Sequence, residues 1–326
     1  MVTSPRTLAD VSESDLLRRI FPFFEGSASL AVGPGDDAAV LRTGPTTVAT
    51  TDSMIRGRDW LDEWSSPSDV ATKLLTQNLA DVAAMGATST AVLVSLVADP
   101  ATSLDWVVEF ARTLGKRASD LGVVVAGGDL SSAPEGVLMV SVTALGDLEG
   151  REPVLRNGAR PGHAVAVNGT LGRSAAGLAL LEGGADPREA ASGIRAACLA
   201  HHLRPSAPLH AGRQAAEAGA SAMIDLSDGL LRDGHRIAEA SGVRIALSPA
   251  GLHDDLAALQ EVVAEAAWEC LLAGGEEHSL LATFARDVPD GWRTIGAVEA
   301  GDGVTLDGVV QRPRGWDHFS AQNGND

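Results

Sequence analysis

Aspartates recur where apolar runs give way to turns. Asp36 and Asp37 lie in Gly33-Pro34-Gly35-Asp36-Asp37, Asp52 ends the run Thr47–Thr51, and Asp129 follows Val123–Ala126 and two glycines. Asp225 and Asp228 bracket a strand-to-helix turn in Ile224-Asp225-Leu226-Ser227-Asp228-Gly229-Leu230. Element ends are where scaffolds place site residues. Carboxylates gathered there repel one another unless cations neutralise them. Hard oxygen donors of this kind suit Mg²⁺, which keeps several waters and binds substrate phosphates. Singly, each aspartate also fits an ordinary turn or cap; as a set they read as a metal and phosphate site.

The segment Asp69–Gly86 reads as a long helix. At about 100° per residue, Ala71, Leu74, Leu75, Asn78, Val82 and Met85 share one face, with Asp81 on its flank. A polar group in an apolar stripe is costly unless something satisfies it. Asn78 is therefore expected to enter a structural hydrogen-bond network, and Asp81 to face a cation. Gly127-Gly128 would let backbone approach a phosphate, and Gly169-Thr170-Leu171-Gly172 could present a helix N-terminus to one; a plain turn is the simpler reading of both. Lys73 and Arg156 are candidate phosphate contacts. His201-His202 end a helical stretch, where histidines cap the terminus or face water. Neither a Gly-x-x-x-x-Gly-Lys-Ser/Thr nor a Gly-x-Gly-x-x-Gly run occurs, so P-loop and Rossmann readings lose their usual support.

The elements that must position these residues alternate along the chain. Helices are expected over Ser12–Phe21, Asp69–Gly86 and Leu104–Leu121, and strands over Thr47–Thr51, Thr90–Leu96, Val123–Ala126 and Val137–Leu145. After a glycine-rich connection at Gly146–Gly162 the pattern restarts: strands Ala164–Val167, Ala222–Leu226, Arg244–Leu247 and Ser279–Phe284, with helices at Ser174–Leu181, near Asp228, and over Leu256–Cys270. The tail beyond Trp316 is polar and expected to fray. Helices alternate with strands, but hairpin-like stretches intrude, which favours mixed α/β layering (α+β layers) over pure right-handed winding. A chain of 326 residues suggests about two domains, here 1–150 and 151–326.

Apolar residues make up 45% and charged residues 21%, the balance of a globular protein. Lys plus Arg number 25 against 43 Asp plus Glu, a formal net charge of −18, which argues against neutralising nucleic-acid phosphates. Cys198 and Cys270 are the only cysteines and form no metal framework; two buried thiols in a reducing, cytoplasmic compartment are expected. The polar N-terminus carries no signal core, and no apolar run approaches the ~20 residues needed to span a bilayer. Neither a membrane nor a nucleic-acid partner is expected.

Seven motifs occur in order: Gly35-Asp36-Asp37-Ala38-Ala39, Thr50-Thr51-Asp52, Asn78-Leu79-Ala80-Asp81-Val82-Ala83-Ala84-Met85-Gly86-Ala87, Gly127-Gly128-Asp129, Asp225-Leu226-Ser227-Asp228-Gly229-Leu230, Gly274-Gly275-Glu276 and Trp316-Asp317-His318-Phe319. From Ser12 to Phe319 the chain closely resembles the thiamine-monophosphate kinase family, within the aminoimidazole-ribonucleotide-synthetase-like superfamily. The resemblance implies a two-domain fold of that superfamily, an N-terminal sheet forming a homodimer, and transfer of phosphate from ATP to thiamine monophosphate, giving thiamine diphosphate and ADP. It also implies that Asp37, Thr50, Thr51, Asp52, Asp81, Asp129, Asp225 and Asp228 surround several Mg²⁺ ions, with Asp37, Asp52, Asp81 and Asp225 central to catalysis. Gly128, Asp129, Arg156 and Ser227 would contact ATP, and Glu276 and Trp316 the thiamine moiety, where an aromatic can meet a cationic ring.

Such a reaction suits the residues. The acceptor phosphate oxygen is already ionised at neutral pH, so direct in-line transfer needs no strong protein base. The chain departs from the family's pattern at three places. Gly57-Arg58-Asp59-Trp60 puts Asp59 where a substrate-contacting histidine would stand; Leu130 follows Gly127-Gly128-Asp129 in place of threonine; and Gly274-Gly275-Glu276-Glu277-His278-Ser279-Leu280 replaces Gly-Gly-Glu-Asp-Tyr-Glu-Leu. Two further readings stay open: a superfamily member phosphorylating another acceptor, and a non-catalytic dimer that binds Mg-nucleotide. Superfamily relatives that act through an N-terminal or a C-terminal cysteine are not expected.

Overall fold

The structure is a computed structural model that describes residues 6–35, 37–189 and 192–317. Asp36, His318 and Phe319, and with the last two the expected polar tail, lie outside the described residues. The chain divides into two compact units, Met1–Val82 with Thr88–Gly150, and Ala83–Ala87 with Arg151–Asp326.

The first unit opens with α1 (Glu13–Ile20), whose N-terminus is capped by Ser12 Oγ accepting from the Asp15 N–H at 3.2 Å. A short ribbon, β1 (Leu30–Val32) and β2 (Val40–Leu41), precedes β3 (Thr47–Ile55) and α2 (Pro67–Ala84). Then follow β4 (Thr88–Ala98), α3 (Leu104–Asp120), β5 (Val124–Ser132) and β6 (Leu138–Asp147). The four longer strands form a sheet in the order β3-β6-β4-β5, antiparallel except for β4 with β5. Period-two alternation splits its faces. Met54, Leu96, Leu138, Val140, Val142 and Ala144 are buried on one side, while Thr51, Ser53, Ile55, Leu93, Ser141 and Thr143 occupy the other, more exposed side.

Two strands extend past their expected ends. Thr47–Thr51 continues through Asp52 to Ile55, paired with β6 throughout. Val123–Ala126 continues through Gly127-Gly128-Asp129 to Ser132, paired with β4 after a register shift between Val92 and Leu93. The two glycines therefore serve strand pairing. A Cβ at Gly128 would overlap the carbonyl oxygen of Val94, so only glycine permits this approach.

The second unit contains β7 (Ala164–Asn168), α4 (Arg173–Glu182), α5 (Gly193–Leu203), α6 (Leu209–Glu217), β8 (Ala220–Asp225), α7 (Leu230–Ser241) and β9 (Arg244–Leu247). It continues with α8 (His253–Val263), α9 (Ala267–Ala273), β10 (Leu280–Phe284), β11 (Arg293–Glu299), β12 (Gly303–Leu306) and β13 (Val309–Gln311). Seven strands pair in the order β13-β12-β9-β11-β7-β10-β8. The helix expected over Leu256–Cys270 is two helices, because Ala264 adopts φ 43° and breaks the ladder. The β12–β13 hairpin turns on Asp307-Gly308, both at positive φ (49° and 75°), the Asp-Gly turn that matches strand twist.

Cys198 and Cys270 lie in the core of this unit with Val165, Leu231 and Ile245. Burial pushes the Cys198 thiol up to about 11 and raises Cys270 as well. Both thiols should resist a disulfide reagent at pH 8 in the native protein and react on unfolding; rapid native labelling would contradict this packing. Gly128→Ala should cost about 1–3 kcal/mol, the scale of overpacking, read as a lower urea midpoint at unchanged slope.

Candidate functional site

In the first unit, two side chains of α2 hold the edge strand β3. Asn78 is completely buried; its amide N–H donates to the Leu74 carbonyl at 2.8 Å, and its Oδ1 accepts from the Asp52 backbone N–H at 3.0 Å. One turn further along, Asp81 Oδ2 accepts from Thr50 Oγ1 at 2.8 Å. Thr50 and Asp52 share a strand face, and Asn78 and Asp81 a helix face. The two aspartates are thus brought to one seam between β3 and α2.

Other predicted residues of this unit stand apart from that seam. Thr51 points to the opposite sheet face, where its hydroxyl donates to the Val142 carbonyl at 3.0 Å and accepts from Thr143 at 3.2 Å. Asp129 lies in register with Ser95, which pairs with Ser141 and through it with Ser53. It is therefore on the open face, three strand spacings, about 14 Å, from β3. Its Oδ2 accepts from Ser131 Oγ at 2.9 Å. Asp37 is exposed between β1 and β2. Asp59 Oδ2 accepts from the Ile55 N–H at 2.7 Å, closing the turn after β3. Lys73 is buried in α2.

In the second unit, three motifs meet. The strands β8 and β10 are neighbours, and the loops that extend them zip together. Glu276 N–H donates to the Ser227 carbonyl at 2.7 Å, His278 N–H to the Leu226 carbonyl at 2.8 Å, and Leu226 N–H to the Ser279 carbonyl at 2.8 Å. Trp316 N–H donates to the Asp228 carbonyl at 2.9 Å. Asp225, Ser227, Asp228, Glu276 and Trp316 thus gather around one turn, whereas Arg156 lies exposed ahead of β7. Glu276 and His278 adopt φ 59° and 52°, a left-handed conformation that non-glycine residues hold only when surroundings impose it.

The surroundings do so through residues that the motifs did not single out. Glu277, 1% exposed, accepts from Thr170 Oγ1 and, at 3.0 Å, from the Ser174 N–H at the start of α4. The anion at this helix N-terminus is thus the protein's own carboxylate, which answers what the Gly169–Gly172 turn presents. His201 is buried and its Nε2 lies 3.2 Å from the Glu277 carbonyl oxygen. The histidine pair faces inward, where capping or solvent was expected, because α5 packs closely on α4: a Cβ at Gly177 would overlap the Cys198 carbonyl.

Asp233 likewise escaped the motif reading. It is fully buried and accepts from the Asp228 and Gly229 N–H groups at 3.0 and 3.1 Å. Arg236 spans its Oδ1 and Asp228 Oδ2, each at 2.5 Å. Burial and the nearby Asp225 carboxylate push Asp233 up to about 7, against the pull of Arg236. Asp228 is therefore already partnered by a cation, whereas Asp225 lies 3.4 Å from His278 Nδ1.

Among the described residues, no three His, Cys, Asp or Glu side chains converge to hold a metal ion. The donor set is all hard oxygen, which suits an ion bound by one or two carboxylates and otherwise by water and phosphate. None of the helices of the described residues is long and apolar enough to cross a membrane.

Residues 35–148 match the family described as AIR synthase related protein, N-terminal domain. Thiamine-monophosphate kinase from Mycobacterium tuberculosis (strain ATCC 25618 / H37Rv) is 42% identical over 325 residues, covering 98% of this chain and 95% of that protein. The Corynebacterium glutamicum protein of the same name is 38% identical over 307 residues, covering 90% and 87%. The chain belongs to the thiamine-monophosphate kinase family. A crystal structure of that kinase from Stenotrophomonas maltophilia K279a superposes with a TM-score of 0.81 at 30% identity, covering 92% of this chain and 98% of that one. AaThiL complexed with AMPPCP and TMP gives 0.75 at 29% identity, covering 97% and 100%.

Replacing Asn78 with leucine removes both of its hydrogen bonds, to the Leu74 carbonyl and from the Asp52 N–H. Asn78→Leu should cost about 1–3 kcal/mol, the scale of two buried hydrogen bonds, in urea unfolding. An unchanged midpoint would remove Asn78 from this role.

Proposed function

We propose that this protein phosphorylates thiamine monophosphate with ATP, giving thiamine diphosphate and ADP by direct in-line transfer. The observation that carries this reading is the full-length membership in the thiamine-monophosphate kinase family. It is supported by the relative that binds AMPPCP, an ATP analogue, together with TMP. The gathering of Asp225, Ser227, Glu276 and Trp316 around one turn agrees with it.

The chain's residues take the following parts. Asp37, Asp52, Asp81, Asp129, Asp225 and Asp228, with Thr50 and Thr51, would hold Mg²⁺. Thr51 would do so by its backbone carbonyl, since its hydroxyl is turned to the other face. Bound Mg²⁺ screens the repulsion between two phosphates and stabilises charge on the transferring group. Thr50 and Asn78 orient Asp81 and Asp52. Gly128, Asp129, Arg156 and Ser227 meet ATP, and Asp59, Glu276 and Trp316 the acceptor. An ionised acceptor oxygen attacks without a protein base. A homodimer forms through the open face of the β3-β6-β4-β5 sheet, where Ile55 and Leu93 are 41% and 39% exposed, and the protein works in the cytoplasm. A second reading, another phosphate acceptor, draws on Asp59, whose carboxylate is engaged in its own turn.

Incubation with ATP, Mg²⁺ and thiamine monophosphate should give thiamine diphosphate and ADP by ³¹P NMR, dependent on Mg²⁺. ATP binding without product would favour the other acceptor. Asp81→Ala should lower turnover by about 10²–10³-fold, the scale of deleting one group that stabilises transferring charge, with the fold intact by circular dichroism. Equal turnover would sink the metal assignment.

A further inference from the structure

Two consecutive glutamates are met by two consecutive histidines. His201 Nε2 lies 3.5 Å from Glu277 Oε1, and His202 Nδ1 lies 3.5 Å from Glu276 Oε2. The Glu277 pair is shut inside the unit, its side chains 9% and 2% exposed. The Glu276 pair is graded: the His202 side chain is 11% exposed and that of Glu276 is 38% exposed. One carboxylate is therefore an anchor, and the other reaches toward solvent with a nearly buried imidazole behind it.

His202 is itself set in place. Its Nδ1 lies 3.2 Å from Ser174 Oγ, on the residue whose N–H holds Glu277. Gly177 lets α5 approach α4 closely enough for its Cα–H side to meet the backbone at Cys198 and the His202 Cβ. Glu276 is held at φ 59° by its N–H bond to Ser227. Backbone and side chain of Glu276 are thus directed by two separate parts of the unit.

We infer that His202 is a positioning residue for the acceptor: it sets the direction of the Glu276 carboxylate, and so acts on acceptor binding and not on ATP. The inference rests on the proposed contact of Glu276 with the thiamine moiety. A carboxylate fixed in advance loses less freedom when a cationic ring arrives, so the effect falls on the acceptor's KM.

The test is steady-state kinetics on the full-length protein with both substrates varied. His202→Leu removes the ring nitrogen and should raise the KM for thiamine monophosphate about tenfold, a loss of about 1.4 kcal/mol, leaving the KM for ATP and kcat within about twofold. His202→Asn, whose Nδ2 can replace Nδ1, should restore most of the affinity. In a Glu276→Gln background, His202→Leu should add little, since two residues acting through one contact are not additive. An unchanged acceptor KM in His202→Leu, additive effects in the double variant, or an equal rise in the KM for ATP would overturn the inference. If His202→Leu does not fold, His202→Phe, which keeps a ring without its nitrogens, takes its place: it must raise the acceptor KM while His202→Asn does not, and a wild-type acceptor KM in His202→Phe would overturn the inference. Failure of the wild type to turn over thiamine monophosphate would instead reject the proposed function, and this inference with it.

Discussion

Asn78 has no exposed surface, so both ends of its amide must be answered within the protein. One end closes on its own helix at Leu74, and the other accepts from the Asp52 N–H of an edge strand. A buried amide left unanswered would cost more than its bonds contribute. That asymmetry ties β3 to α2 at one register. Once Asp52 is fixed, alternation along the strand sends Thr50 to the helix and Thr51 away from it. Thr50 then meets Asp81. The seam of two aspartates follows from one satisfied amide.

The same constraint organises the second unit. Glu277 is a carboxylate out of water; its donors come from the turn before α4 and from the first turn of α4, and the α5 histidine His201 lies against it. Holding it fixes the left-handed residues on either side, Glu276 and His278. Asp233 does the corresponding work for the Asp228 turn, receiving two backbone N–H groups and sharing Arg236 with Asp228. In both places a carboxylate that touches no substrate in the proposed reaction fixes the backbone that carries one proposed to do so.

The departures from the family's pattern gain a physical account at two of three places. Asp59 closes a turn onto the Ile55 N–H, and Glu277 fills a buried site built of matched donors. His278 is set beside Asp225 by the zipped loops. Nothing in the structure explains Leu130.

Much of the fold was legible in local pattern. Ser12 caps its helix as its type and spacing required, and the polar Asn78 in an apolar stripe announced an internal partner. The Asp225–Leu230 and Gly274–Glu276 strings marked the second unit's turn without any geometry. Strand ends were not legible, because Asp52 and Gly127-Gly128 look like stops until the pairing partner is known; β5 runs on because Val94 comes close enough to exclude any Cβ at Gly128. Nor could spacing place His201 and His202, which read as a helix end facing water. Only the packing of α4 on α5 turned them toward the glutamates. The sequence by itself determined which residues carry charge and which stretches must be buried, since both are properties of side chains and their local period. Which carboxylates are spent on holding the backbone, and which remain for a ligand, was decided by tertiary structure, because that depends on donors brought from distant parts of the chain.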